Sequence, residues 1–290
     1  MTIKEIEMLS KIFNCSPNHI KYIKQLKKGM TNNSYIISFD NKKYIVRSPG
    51  EGSSKLIDRK KEYEVYKNIM HLNISDEIIY INPFDGYKVA VFYDNAVNCD
   101  PYNFEIVRSC ISNLKAFHDK NICVPFHFDI FERIEFFESL LKKESKYPDY
   151  KKTKENIKKI KKYIDSLKIE YTLCHIDSVC DNFIIIDNSI RIIDWEYSAM
   201  QDRHIDIAMF AIYSLYKKSD VDRLIDIYFE GKCCDSIRIK IYCYIAICGF
   251  LWSNWCEYKE SFGKSFGKYS IAQYNYAKKY FEIIRELGYV

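Results

Sequence analysis

The chain has 290 residues, of which 48% are hydrophobic, so it can bury one large domain or two lobes. Its 44 lysines and arginines against 39 aspartates and glutamates give a formal net charge of +5, too mild to indicate a nucleic-acid partner. The 11 cysteines form no Cys-x-x-Cys pair and the N-terminus has no apolar signal core, so we expect a cytoplasmic protein with free thiols. The longest apolar run, 241–252, is too short to cross a bilayer; we expect a buried helix there and no membrane partner.

The first hundred residues predict a small β-sheet with two helices. A short amphipathic helix is expected at 3–13 and a second helix at 56–71. Strand-like segments are expected at 22–26, 34–39, 43–47, 77–81 and 87–92. The polar run 27–33 separates the first two strands, and Asp40-Asn41 is a tight hairpin signal between the second and the third.

The rest of the chain has a mostly helical pattern, interrupted by short strands around 172–194. Between residues 142 and 168, isoleucines recur at helical spacing among many lysines, which predicts an amphipathic helix with a solvated lysine face. This order of elements predicts an α+β fold with two lobes. We place an N-terminal lobe at 1–95 and a mostly helical C-terminal lobe at 96–290.

One stretch carries the residues that phosphoryl transfer needs. His175-x-Asp177-x4-Asn182 is followed by two β-rich runs and then by Asp194-Trp195. The reaction requires a carboxylate that accepts the proton of the attacking hydroxyl, and oxygen ligands for Mg²⁺. We assign Asp177 as the base and Asn182 and Asp194 as the magnesium ligands, because a hairpin between them would bring the last two together. His175 is expected to pack inward as a structural residue. A buried polar loop with a capping aspartate is the alternative without chemistry.

The N-terminal lobe is then expected to bind the nucleotide, and the C-terminal lobe to hold the catalytic and substrate-binding groups. Small polar residues that could cover the phosphates are Thr31, Asn32, Asn33 and Ser34. Kinases place a cation on the third strand to hold the α- and β-phosphates, and Arg47 stands there. Glu62 on the following helix is its expected partner, with a solvent-facing glutamate as the alternative. Backbone groups at the predicted joint between the two lobes, from Phe92 and Tyr93 to Asn95, are expected to contact adenine.

Four segments resemble choline/ethanolamine kinases, most of all the bacterial lic-type choline kinases. They are Met30–Tyr35, Tyr44–Arg47, Ile193–Ser198 and Phe250–Trp255. Aminoglycoside phosphotransferases share the catalytic-loop and Asp-Trp elements, but they do not usually carry the Glu-Tyr-Ser run that follows here. The resemblance extends from about residue 28 to the C-terminus.

The resemblance implies a protein-kinase-like fold whose N-terminal lobe holds a five-stranded antiparallel sheet and a helix. It implies ATP and Mg²⁺ as cofactors, and the roles given above for the base, the metal ligands and the phosphate-binding pair. It also adds Asp206 as a structural residue that braces the catalytic loop. In one departure from the family pattern, Tyr213 stands where choline kinases often carry an acidic residue.

The resemblance makes choline the first candidate for the phosphate acceptor. Its trimethylammonium group has no N–H to donate, so aromatic faces and nearby carboxylates must hold it. Trp252 and Trp255, at i and i+3, share one helix face, with core packing as the alternative. The complete set expected to contact substrate is Asp177, Glu196, Tyr197, Tyr213, Trp252, Trp255, Phe266 and Tyr269.

Three alternatives to choline kinase stay open at this point. Ethanolamine would need hydrogen-bond acceptors around its ammonium group. An aminoglycoside would need a broad acidic groove, which a net charge of +5 weakly disfavours. A kinase-fold binding protein without catalysis is the third, although Asp177, Asn182 and Asp194 are all present.

Overall fold

The computed structural model describes residues 1–26, 32–50, 56–141, 143–187 and 189–290, and their packing divides the chain into two units. The first unit comprises Met1–Cys99 and Asp181–Ser198, and the second comprises Asp100–Cys180 and Ala199–Val290. The hairpin that carries Asp194 therefore packs with the N-terminal residues. The functional division at residue 95 stays a prediction.

The first unit contains the five-stranded antiparallel sheet that the sequence predicts. Its strands are β1 Lys21–Gln25, β2 Asn32–Phe39, β3 Lys42–Pro49, β4 Ile78–Ile81 and β5 Lys88–Val91. They lie in the order β1-β2-β3-β5-β4, and each neighbouring pair is antiparallel. Asp40 and Asn41 both adopt positive φ angles, of 48° and 57°, as a two-residue hairpin turn requires.

Two helices complete the N-terminal part of this unit. Helix α1, Ile3–Ile12, begins with a capping box between Thr2 and Glu5, and its Leu9 enters the apolar core on the sheet. Helix α2, Arg59–Ile69, is capped by Asp58 and buries Glu62, Val65, Tyr66 and Ile69. This 3–4–7 spacing places a glutamate and a tyrosine on the buried face of α2.

A small sheet closes the first unit. Strand β6 is Val97–Asn98, and the hairpin strands are β8 Phe183–Ile186 and β9 Ser189–Ile192, in the order β6-β8-β9. At the open end of this hairpin the Ile193 amide donates to the Asn182 carbonyl at 2.9 Å. The predicted hairpin between Asn182 and Asp194 is thereby confirmed.

The second unit is mostly helical. Its helices are α3 Phe104–His118, α4 Ile130–Leu140, α5 Tyr150–Asp165, α6 His204–Tyr213, α7 Lys218–Tyr228, α8 Asp235–Glu260 and α9 Lys268–Glu286. Its two strands, β7 Tyr171–Cys174 and β10 Ala199–Asp202, pair antiparallel. Helix α5 buries Thr153, Ile157, Ile160 and Ile164, so the predicted lysine-rich amphipathic helix is present, starting at Tyr150.

Helix α8 is the longest element of the second unit. By length and composition alone it could cross a membrane, but most of its apolar window is buried. Its residues from Ile241 to Leu251 are all buried among the neighbouring helices. This burial on all sides is what a core helix shows, as expected for the apolar run at 241–252.

Candidate active site

The first unit holds a cavity of about 450 Å³. Its apolar lining residues are Leu26, Ile45, Val91, Phe92, Ala96, Ile184 and Ile193. Its charged lining residues are Arg47, Asp76, Lys88, Asp94 and Asp194. A cavity with apolar walls and a few charged groups suits a nucleotide, which joins a flat base to a chain of phosphates.

Strand alternation decides which predicted loop residues reach this cavity. Asn32 and Ser34, on β2, both line it, whereas Asn33 between them is not a lining residue. Successive side chains on a strand point to opposite faces, so this pattern follows from the strand itself. Thr31 lies outside the described residues.

Only some of the residues predicted to contact adenine line the cavity. Phe92 and Tyr93 line the cavity, while Asn95 instead donates from Nδ2 to Asp187 Oδ1 at 2.8 Å. Asn98, on β6, is a lining residue that the sequence did not single out, and it donates to the Asp181 carbonyl at 2.5 Å. The base-binding expectation therefore rests on Phe92 and Tyr93.

Arg47 and Glu62 form a buried ion pair beside the cavity. Arg47 Nη1 lies 2.6 Å from Glu62 Oε1, and Nη2 donates to Oε2 at 2.7 Å. Burial acts to lower the pKa of Arg47, but the Glu62 carboxylate outweighs it and raises that pKa. Burial acts to raise the pKa of Glu62, and Arg47 outweighs it and holds that pKa at about 2. Both groups are therefore charged in the folded protein.

A second arginine, Arg59, extends this pair. Its Nη1 lies 2.8 Å from Glu62 Oε2 and 3.0 Å from Glu196 Oε2, and its Nη2 donates to Asn32 Oδ1 at 2.7 Å. Asn32 also donates to Glu196 Oε2 at 2.8 Å. The buried Glu196 carboxylate is thus engaged by Arg59 and Asn32, and its predicted contact with substrate stays a prediction. Arg59 was not predicted, although its i,i+3 spacing to Glu62 on a predicted helix was a usable signal.

Asp194 offers an oxygen that could hold a cation. Its Oδ1 is buried with no hydrogen-bond partner among the described residues, and lies 3.5 Å from Arg47 Nη1, although 39% of the side chain is exposed. Burial and then the Glu196 carboxylate raise the pKa of Asp194 to about 8, against the lowering effect of Arg47. A carboxylate whose charged form is disfavoured in this way gains most from an added cation. Asn182 lines the same cavity, so an amide and a carboxylate, both with the oxygen atoms that Mg²⁺ prefers as ligands, lie in its wall.

In the second unit, Asp206 organises the loop that contains Asp177. The fully buried Asp206 carboxylate accepts the His175 amide at 2.8 Å and the Ile176 amide at 2.7 Å. The Ser178 hydroxyl donates to the Asp206 carbonyl at 2.6 Å, which explains a small polar residue at that position. Ile176 has φ of +69°, a strained conformation for a β-branched residue, and these bonds hold it there.

Aromatic residues of the second unit form two contacting groups. The rings of Trp252 and Trp255 lie 5.3 Å apart, and those of Trp255 and Phe266 lie 5.2 Å apart. The ring centroids of Tyr213 and Tyr269 lie 6.0 Å apart. Trp255 is 8% exposed and Trp252 is half-buried, with its Nε1 donating to Met209 Sδ at 2.9 Å.

Tyr269 belongs to the second of these groups, with Tyr213. Burial raises the pKa of Tyr269 well above its usual range, and the Asp177 charge adds to the effect. Tyr197, also predicted to contact substrate, lies in the first unit, in the turn after Trp195.

Comparison with known proteins gives one consistent family. The family model described as choline/ethanolamine kinase matches residues 23–222. Protein LicA of Haemophilus influenzae is 24% identical over 279 residues, covering 89% of this chain and 100% of that protein. The crystal structure of choline kinase LicA from Streptococcus pneumoniae has a TM-score of 0.83 at 26% identity, covering 97% of this chain and 98% of that one.

A further solved structure, LicA in complex with AMP, has a TM-score of 0.82 at 26% identity and covers 98% of this chain and 100% of that one. Together these comparisons confirm the protein-kinase-like fold. The segment matched by the family model includes both the cavity of the first unit and the Asp177 loop of the second.

The Asp206 bonds predict a stability effect that can be measured without substrate. Asp206→Asn keeps the shape but sets an NH₂ group against a backbone N–H, so one buried donor loses its acceptor. We expect the free energy of unfolding, measured by urea denaturation, to fall by about 2–3 kcal/mol. The exposed Asp235→Asn, as the control, should change stability by no more than about 0.5 kcal/mol. Equal effects of the two substitutions would show that Asp206 does not hold the loop.

Proposed function

The chain belongs to the choline/ethanolamine kinase family, and we propose that within this family it is a choline kinase. Membership makes it an ATP-using phosphotransferase whose acceptor is the hydroxyl of a small amino alcohol. The observation that carries the choline proposal is the two groups of contacting aromatic residues in the second unit, the unit that also contains Asp177. The products would be phosphocholine and ADP.

We assign Asp177 as the group that orients the choline hydroxyl and accepts its proton. The freed oxygen then bonds to the γ-phosphorus of ATP, and the bond from that phosphorus to the bridging oxygen of ADP breaks. Because little covalent work falls to the protein, its contribution is position and charge. The loop held by Asp206 supplies the position, since its backbone at His175 and Ile176 donates two buried hydrogen bonds to the Asp206 carboxylate.

The cavity of the first unit is the proposed nucleotide site. Its apolar walls suit adenine, and Arg47, fixed by Glu62, is the proposed partner of the α- and β-phosphates. We propose that Asn182 and Asp194 hold Mg²⁺, which supplies charge neutralisation at the phosphates when bound. The buried, unbonded Asp194 Oδ1 supports this assignment.

The acceptor assignment follows from the chemistry of the ammonium group. A trimethylammonium ion gains from aromatic faces, each contact contributing about 0.5–2 kcal/mol, and needs no hydrogen-bond acceptor. Trp252, Trp255, Phe266, Tyr213 and Tyr269 offer such faces within one unit. As an enzyme that consumes ATP, the protein is proposed to work in the cytoplasm.

A panel of acceptors tests the proposed substrate. With Mg-ATP, we expect the kcat/KM measured by ADP release to be highest for choline, ahead of ethanolamine, homoserine and kanamycin. A higher kcat/KM for ethanolamine would move the assignment to ethanolamine kinase. Turnover of kanamycin without turnover of choline would refute the amino-alcohol assignment altogether.

Removing the proposed base should separate chemistry from binding. Asp177→Asn is expected to lower kcat for choline phosphorylation about 10²- to 10⁴-fold, because the amide cannot accept the hydroxyl proton. ATP affinity, measured by calorimetry, should stay within a few-fold of that of the unaltered protein. The neighbouring exposed Asp181→Asn serves as control and should keep most of kcat. A kcat for Asp177→Asn within tenfold of normal would exclude Asp177 as the base.

A matched pair of substitutions tests the aromatic contact with the ammonium group. Trp252→Leu keeps apolar bulk but loses the π face, so the KM for choline should rise about tenfold while the KM for ATP stays unchanged. Trp252→Phe retains an aromatic face and should stay closer to normal. If both substitutions raise the KM values for choline and ATP alike, Trp252 acts as core packing.

A further inference from the structure

The cavity is lined by a second cation besides Arg47, and the family resemblance did not predict it. Lys88, on β5, is the register partner of Arg47, on β3. Side chains directly opposite each other on neighbouring strands share one face of the sheet, with their Cβ atoms about 5 Å apart. Both residues line the same cavity. The sheet therefore presents two positive charges side by side, an arrangement that costs free energy unless something compensates it.

Each of these cations has its own carboxylate. Arg47 pairs with Glu62, whereas Lys88 Nζ lies 2.9 Å from Asp76 Oδ2. Lys88 Nζ also donates to the Tyr66 hydroxyl at 2.6 Å. The positive charges of Arg47 and Lys88 are thus each compensated by a different carboxylate.

Tyr66 completes a triad with Lys88 and Asp76. Its hydroxyl donates to Asp76 Oδ1 at 2.8 Å, and all three side chains are buried. Burial, and then the Asp76 charge, raise the pKa of Tyr66 well above its usual range, so the hydroxyl keeps its proton. An ammonium group has three donors, and these two contacts leave one for a ligand in the cavity.

The triad is hard to explain as a stabilising feature of the sheet. A buried ion pair often contributes no more than well-packed apolar residues would in the same place, because both charges lose their water. The charge of Lys88 also acts on Asp194 and on Glu62. A buried cation that lines the cavity, beside the arginine assigned to phosphate, is suited to a polyanionic ligand.

We propose that Lys88, held by Asp76 and Tyr66, is the second cation of the phosphate pocket and binds the phosphate chain of the nucleotide together with Arg47. This inference rests on the nucleotide pocket of the proposed function and is independent of the acceptor. It adds a phosphate-binding residue on β5 to the groups on β3 and on the β8–β9 hairpin.

Nucleotide titrations without acceptor and without Mg²⁺ test the inference. Adenosine, AMP, ADP and ATP are titrated by calorimetry into the unaltered protein, Lys88→Met, Lys88→Arg and the double variant Lys88→Met/Asp76→Asn. We expect the affinity lost in Lys88→Met to grow with the number of phosphates, from less than twofold for adenosine to about tenfold for ATP. Lys88→Arg should keep most of the ATP affinity, because it keeps the charge.

The double variant separates contact from charge balance. It leaves no unpaired Asp76 charge, so it also serves as the test protein if Lys88→Met alone fails to fold. We expect it to bind ATP about tenfold more weakly than the unaltered protein does. Recovery of ATP affinity in the double variant would mean that Lys88 merely neutralises Asp76, and an equal loss for adenosine and ATP would mean a packing role. Either result overturns the inference.

Failure of the acceptor assignment would look different. If choline is not phosphorylated but ATP affinity still depends on Lys88, the inference stands and the acceptor assignment falls. If the unaltered protein binds none of the four nucleotides, the nucleotide pocket itself is wrong, and the inference falls with it.

Discussion

The buried guanidinium of Arg47 is the interaction on which the first unit depends. It lies within 3.6 Å of carboxylate oxygens from Glu62, Asp194 and Glu196. These groups come from a helix, from the end of the β8–β9 hairpin and from the turn after it. An unpaired charge at this depth would cost several kcal/mol, so the sheet, α2 and the hairpin must meet in one arrangement to keep it paired. The same arrangement forms the polar part of the cavity.

The second unit organises its site by other means. There the backbone amides of His175 and Ile176 and the His118 side chain converge on the single Asp206 carboxylate, and aromatic side chains pack against one another on α8 and in the segment before α9. This difference matches the two ligands of an amino-alcohol kinase. A polyphosphate needs fixed positive charge, while a methylated ammonium needs apolar, polarisable surroundings.

The strands and the hairpin could be predicted from local patterns in the sequence. The contacts that depend on the register between paired strands could not. Alternation and the Asp40-Asn41 turn located β2 and β3, and the motif spacing located the β8–β9 hairpin between Asn182 and Asp194. Asn32 and Ser34 line the cavity and Asn33 does not, because β2 already begins at Asn32. The sequence there is a polar run that reads as a loop, so it does not reveal this start of the strand. Lys88 could not be found, because its nearness to Arg47 depends on the pairing of β3 with β5 across about forty residues. The contacts of Glu196 with Arg59 and Asn32 were not anticipated, because the strand that carries Asn32 and the helix that carries Arg59 lie more than a hundred residues away in sequence.

The backbone of Asp194 restricts which residues can occupy its position. It has φ of +67°, in the left-handed region that glycine, asparagine and aspartate adopt more readily than other residues. A glutamate would keep the charge, but its longer side chain offers no local bond to offset the backbone strain. The backbone geometry and the proposed role as an oxygen ligand for Mg²⁺ therefore both favour aspartate or asparagine at this position. Most substitutions at position 194 would therefore add backbone strain to the loss of the carboxylate.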